Sequence, residues 1–99
     1  QEFYGADVAT IVNKAYDNNL TNSVQRDNSG NFIENDTTSI KIYLKMLDTD
    51  ETYNMETIYK GGMDKFVQYY GSIKFKCTKI EYHNKTQKVK YMLIEQITE

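Results

Sequence analysis

Residues 74–91 read KFKCTKIEYHNKTQKVKY, six lysines against the single acid Glu81. This stretch decides the fold because it alternates. Ile73, Phe75 and Cys77 occupy every second position, and Ile80 and Tyr82 continue the apolar set one residue out of phase. Strict alternation is the pattern of a half-buried strand, and a phase slip inside one strand marks a β-bulge, here near Thr78-Lys79. NKTQ (84–87) is polar and turn-forming, and Val89, Tyr91, Leu93 and Ile97 resume the alternation, so the last third is expected to be a long antiparallel hairpin.

In this reading Lys74, Lys76, Lys88 and Lys90 project together to the face opposite Phe75 and Val89, and Glu81 stands near Lys90 across the hairpin. Two readings of that face are open. It can be the solvated side of an ordinary hairpin, where lysines discourage edge-to-edge pairing. It can also be an anion-binding surface built from Lys74, Lys76, Lys88 and Lys90. The aromatic residues Phe75, Tyr82 and Tyr91 fall on the core side, whereas single-strand nucleic-acid binders display aromatics beside the charges. Met92 and Ile94, on the lysine side, suggest that its far end is covered.

Upstream, Tyr4, Val8, Ile11, Val12 and Ala15 form one stripe at helical period, which predicts a helix over about 6–18 closed by Asn18-Asn19. DNSGN (27–31) is a turn signature, and Phe32 to Asn35 follows as a short strand. Ile40, Ile42, Leu44 and Met46 alternate with Lys41, Tyr43 and Lys45, the clearest half-buried strand in the chain. DTDE (48–51) turns again. Met55, Ile58, Tyr59, Met63, Phe66, Val67 and Tyr70 recur at helical spacing, predicting a second helix over about 54–70 with Gly71 at its C-terminal end. Gly61-Gly62 lies inside it, and a kink or a start delayed to Gly62 is the alternative.

The order is therefore helix, hairpin, helix, hairpin: two helices packed on a mainly antiparallel sheet of about four strands, a single α+β domain over residues 1–99. The expected core combines Val8, Ile11, Val12, Ile40, Ile42, Leu44, Phe66, Val67, Phe75, Tyr91 and Leu93.

Composition constrains function mainly by exclusion. A net charge of −2 with six lysines and one acid in residues 74–91 leaves seven net negative charges on the rest of the chain. Arg26 is the only arginine, which argues against a dedicated nucleic-acid binder. The single cysteine, Cys77, excludes an intrachain disulfide and a multi-thiolate metal site, and its alternation with Phe75 reads as a small buried hydrophobe. His83, the only histidine, stands at the mouth of a turn and reads as solvated. Cys77 and His83 are six residues apart on one strand, about 20 Å, and form no dyad there. Asp48, Asp50 and Glu51, and Asp27, Asn31 and Asp36 around Gly30, could supply oxygen ligands. Neither group has the spacing of a calcium-binding loop, and both read as turns. No catalytic, cofactor-binding or metal-binding residue is assigned.

YGADVATIVNKA (4–15), SIKIYLKMLDTDETY (39–53) and FVQYYGSIKFKCTKIEYHNKTQKVKYMLIEQI (66–97) together resemble small uncharacterised proteins of low-G+C Gram-positive bacteria. The resemblance implies an exported or membrane-anchored protein whose N-terminal spanning or signal-like segment precedes a domain of this kind, and a start at Gln1 rather than Met fits it. Membrane association is then expected only through that segment. A helix lying on an antiparallel sheet is also similar, at the level of fold, to pilin and pseudopilin headgroups. The resulting expectation is a non-catalytic, extracytoplasmic module acting through an unknown protein partner, with weak polyanion binding by the lysine-rich hairpin as the alternative.

Overall fold

The structure, a computed structural model, describes residues 2–47, 49 and 51–98. The element order is β1 (Glu2–Tyr4), α1 (Gly5–Thr21), β2 (Lys41–Lys45), β3 (Thr52–Asn54), α2 (Met55–Gly61), α3 (Met63–Tyr70), β4 (Lys74–Tyr82) and β5 (Val89–Gln96). The α+β class holds, with three helices instead of two and a five-stranded sheet in the order β1-β4-β5-β2-β3. The sheet is mixed: β1/β4, β4/β5 and β2/β3 pair antiparallel, but β2 and β5 run parallel.

α1 forms where its stripe predicts. Its first backbone donors, which a helix cannot satisfy internally, find the turn after α3: Gly5 N donates to Ile73 O at 2.8 Å and Ala6 N to Gly71 O at 3.1 Å. That approach requires glycine at position 5, since a Cβ there would stand 1.8 Å from Tyr70 O. Just before the helix, Asp7 Oδ2 accepts from Tyr4 N at 2.9 Å. The helix extends beyond the expected end at 18 to Thr21, and Asn19 explains why. Its amide is fully buried and pairs with the backbone of Ile40 as another peptide would, donating to Ile40 O and accepting from Ile40 N, both at 2.9 Å.

The predicted helix over 54–70 is two helices. Gly62 takes φ +104°, outside the helical region, and separates α2 from α3. Rotation at this break leaves Met55 and Phe66 buried and Val67 exposed, so Val67 leaves the expected core. The strand expected over Phe32–Asn35 reduces to an isolated bridge between Arg26 and Phe32, and β2 takes its hairpin partner from the other side, Thr52–Asn54. The DNSGN turn forms: Asp27 Oδ1 accepts from Ser29 N and Asn31 N, and Gly30 sits at φ +85°. The DTDE turn lies partly outside the described residues, at Asp48 and Asp50.

In β4 the bulge falls where the phase slip predicts, Thr78 being the residue without a partner between Cys77↔Ile94 and Lys79↔Leu93. In β5 the expected phase is inverted. Residues facing each other across paired strands share a face. The pairings Phe75↔Gln96, Cys77↔Ile94 and Ile42↔Met92 therefore put Met92 and Ile94 on the helix side. Ile94 is completely buried. Tyr91 and Leu93, expected in the core, lie on the other face with Tyr43, and the Tyr43 and Tyr91 rings are 5.6 Å apart. The core is one cluster that joins Val8, Val12 and Ala15 of α1 to Ile42 and Leu44 of β2, Met55 of α2, Phe66 of α3, Phe75 of β4 and Ile94 of β5. Val24, Phe32 and Met46 complete it from the connecting segments.

Candidate functional site

The lysines do not converge. Lys74 pairs with Tyr4, and Lys76 lies between Glu2 of β1 and Glu95 of β5 on the outer face. Lys90 has no partner across β4, the pairing passing from Glu81↔Tyr91 to Tyr82↔Val89, and it lines a small crevice with Asn35, Asp36 and His83. Lys76 faces Glu95, so Lys90 is five residues further along β5, about 17 Å at about 3.4 Å per residue. Lys88 sits beyond the strand and is exposed. The single lysine face expected from alternation is thus two separated pairs. Nor does Glu81 meet Lys90: its Oε2 pairs with Lys79 Nζ at 3.3 Å, and Tyr91 stands opposite it.

His83, expected in solvent, is 1% exposed, with Nε2 2.7 Å from Ser39 O. The end of β4 folds under the 35–39 loop, whose shape Asn35 holds by accepting the N–H groups of Thr37, Thr38 and Ser39 on its Oδ1. Cys77 is half-buried, its Sγ 3.3 Å from Lys79 O, so thiol and imidazole are each engaged elsewhere. Among the described residues no three His, Cys, Asp or Glu side chains come together as metal ligands. Asp27, one of the candidate oxygen ligands, is committed to its own turn. No helix among the described residues is long and apolar enough to cross a membrane.

The place where several aromatic, charged and polar side chains do converge was not legible as a site in the sequence. It is an open cleft of about 900 Å³ between α1, the 26–31 turn and α2, lined in part by Tyr16, Arg26, Asn31, Glu56, Tyr59 and Lys60. Each wall has a local cause. Asn54 caps α2 by accepting from Thr57 N at 2.9 Å, which fixes Glu56 in the first turn facing inward. Tyr59, one turn on, stacks on Tyr16 of α1 with centroids 3.7 Å apart and planes 5° from parallel. The DNSGN turn folds the chain back so that Arg26 bridges Phe32, and the guanidinium lies 4.4 Å from the Phe32 centroid and 5.2 Å from that of Tyr16.

Beneath this aromatic layer Glu56 and Lys41 form a buried ion pair, Nζ to Oε2 2.7 Å, with side chains 4% and 8% exposed. Oε2 also accepts from Phe32 N at 2.8 Å, and Lys41 Nζ donates to Phe32 O at 2.8 Å. The other carboxylate oxygen, Oε1, is buried and has no hydrogen-bond partner among the described residues. A carboxylate accepts at both oxygens, and a buried acceptor left without a donor costs about 1–3 kcal/mol. Glu56 is therefore held in place through one oxygen, while the other is enclosed in the interior. The visible signals were slight. Arg26 stood out only as the single arginine, Tyr16 was an unmarked position beside the α1 stripe, and Glu56 looked like an ordinary acid in a helix first turn.

Set against protein-family models, curated proteins and solved structures, the chain matches none of them.

Proposed function

We propose that this domain is a non-catalytic binding module that acts by holding a protein partner at the Tyr16–Tyr59 cleft. The observation that carries the reading is the convergence of the stacked Tyr16 and Tyr59 rings with Arg26 and Lys60 on one open cleft. Binding sites combine such apolar surface with a few fixed polar groups that set orientation. Stacked tyrosines and an arginine are also the residue types that dominate protein-recognition energetics.

Photo-crosslinking in the host cell tests it. A photoreactive amino acid in place of Lys60 is expected to give a protein adduct that Tyr59→Ala abolishes, while the same group in place of Lys45, outside the cleft, gives none. Adducts from Lys45 alone, or adducts indifferent to Tyr59, would refute the reading. The extracytoplasmic, surface-tethered location is part of the proposal and rests on the sequence resemblance. Protease treatment of intact cells checks it, since a cytoplasmic protein would survive.

Polyanion binding through Lys74, Lys76, Lys88 and Lys90 ranks second, because Lys76 lies between Glu2 and Glu95 and the two lysine pairs stand at opposite ends of the β4–β5 hairpin. Counterion release would make such binding fall steeply with salt. Heparin retention unchanged by Lys74→Glu with Lys88→Glu removes it.

A further inference from the structure

Resting on the cleft reading, we infer that the partner segment held there is an acidic peptide, its carboxylates meeting Arg26 and Lys60. The charge pattern selects this class. The negative charge of Glu56 is already offset by Lys41 at 2.7 Å. Arg26 and Lys60 line the same cleft, and neither forms an ion pair among the described residues. The adjacent acid, Asp27, keeps one carboxylate oxygen on the N–H groups of Ser29 and Asn31. The cleft therefore presents two cations without ion-pair partners among the described residues.

Other ligand classes satisfy only part of this set. A lysine or arginine side chain would enter against two like charges. A neutral sugar or amide would leave both cations unneutralised. An acidic peptide supplies a carboxylate for each cation, and a guanidinium resting on aromatic rings is well placed for bidentate carboxylate contact.

The test is an amide-resolved NMR titration of the intact domain with three pools of short, acetylated and amidated peptides. One pool is built from Asp, Glu, Gly and Ser, one from Lys, Arg, Gly and Ser, and one from Gly, Ser, Asn and Gln. The acidic pool at millimolar concentration is expected to shift the amides of Arg26, Asn31, Thr57 and Lys60 saturably, and less at higher salt. Arg26→Gln and Lys60→Gln should each weaken it by roughly tenfold, the loss of one charge-assisted contact. Lys45→Gln should leave it unchanged. Lys60 is exposed, so Lys60→Gln decides the matter even where Arg26→Gln impairs folding.

A basic or neutral pool that moves the same amides as strongly would overturn the acidic class while leaving the cleft as a binding site. No pool moving them would overturn both. Shifts confined to residues 74–90, or binding indifferent to Lys60→Gln, would overturn the assignment of Arg26 and Lys60.

Discussion

Removing the Glu56 carboxylate is the sharpest test of how the cleft is built. In Glu56→Ala the Lys41 ammonium, its side chain 8% exposed, loses its anionic partner and keeps only Phe32 O, and Phe32 N loses its acceptor. Breaking a buried pair from one side costs about 3–5 kcal/mol because the surviving charge is uncompensated. A domain of this size has a total stability of about 5–15 kcal/mol. With a urea slope near 1.5 kcal/mol per molar, the loss moves the unfolding midpoint down by about 2–3 M. The paired replacement Lys41→Met with Glu56→Leu removes both charges together and is expected to recover most of that loss, since apolar substitutes for a buried pair are often neutral or stabilising. Urea melts of parent, both single variants and the double variant give the coupling energy directly. A loss under about 1 kcal/mol for Glu56→Ala, or a double variant as unstable as the two singles added together, would refute the buried, interdependent pair.

Other expectations follow from the same packing. Asn19→Ala leaves the N–H and carbonyl of Ile40, both part-buried, without their partners and should cost about 1–3 kcal/mol in a urea melt. Gly5→Ala drives a Cβ to 1.8 Å from a backbone oxygen that no side-chain rotation can relieve. It should lower stability by about 3 kcal/mol or more on thermal unfolding, and a loss under about 1 kcal/mol would mean that α1 and the α3 terminus are not in contact. Phe75→Ala, at a fully buried position beside Phe66, should cost about 3–5 kcal/mol, against less than about 0.5 kcal/mol for the exposed Lys88→Ala. Comparable losses in denaturant melts of those two variants would contradict the assignment of Lys88 to solvent.

By itself the sequence determined the elements whose signal is local. The α1 stripe, the alternation of β2, the turn at DNSGN and the bulge at Thr78 each follow from residues within a few positions of one another, and the structure contains all four. The glycine pair marked the break between α2 and α3, although only the φ of Gly62 chose breaking over bending. What depended on distant partners was decided by the tertiary structure. β5 lies between β4 and β2, and both of its faces are apolar: Met92 and Ile94 on one, Tyr91 and Leu93 on the other. Alternation alone cannot orient such a strand, and a one-residue change of phase turns every side chain over. The pairings with Cys77 and Ile42 settled it. The parallel contact of β2 with β5 likewise joins segments about fifty residues apart, for which the sequence carries no local mark. Glu56 is the extreme case: an acid in a helix first turn is ordinarily solvated, and only the ammonium of Lys41, fifteen residues earlier, and the backbone of Phe32 make its burial affordable. Charged residues enter a core when partners reach them there, and those partners exist only once the chain has folded.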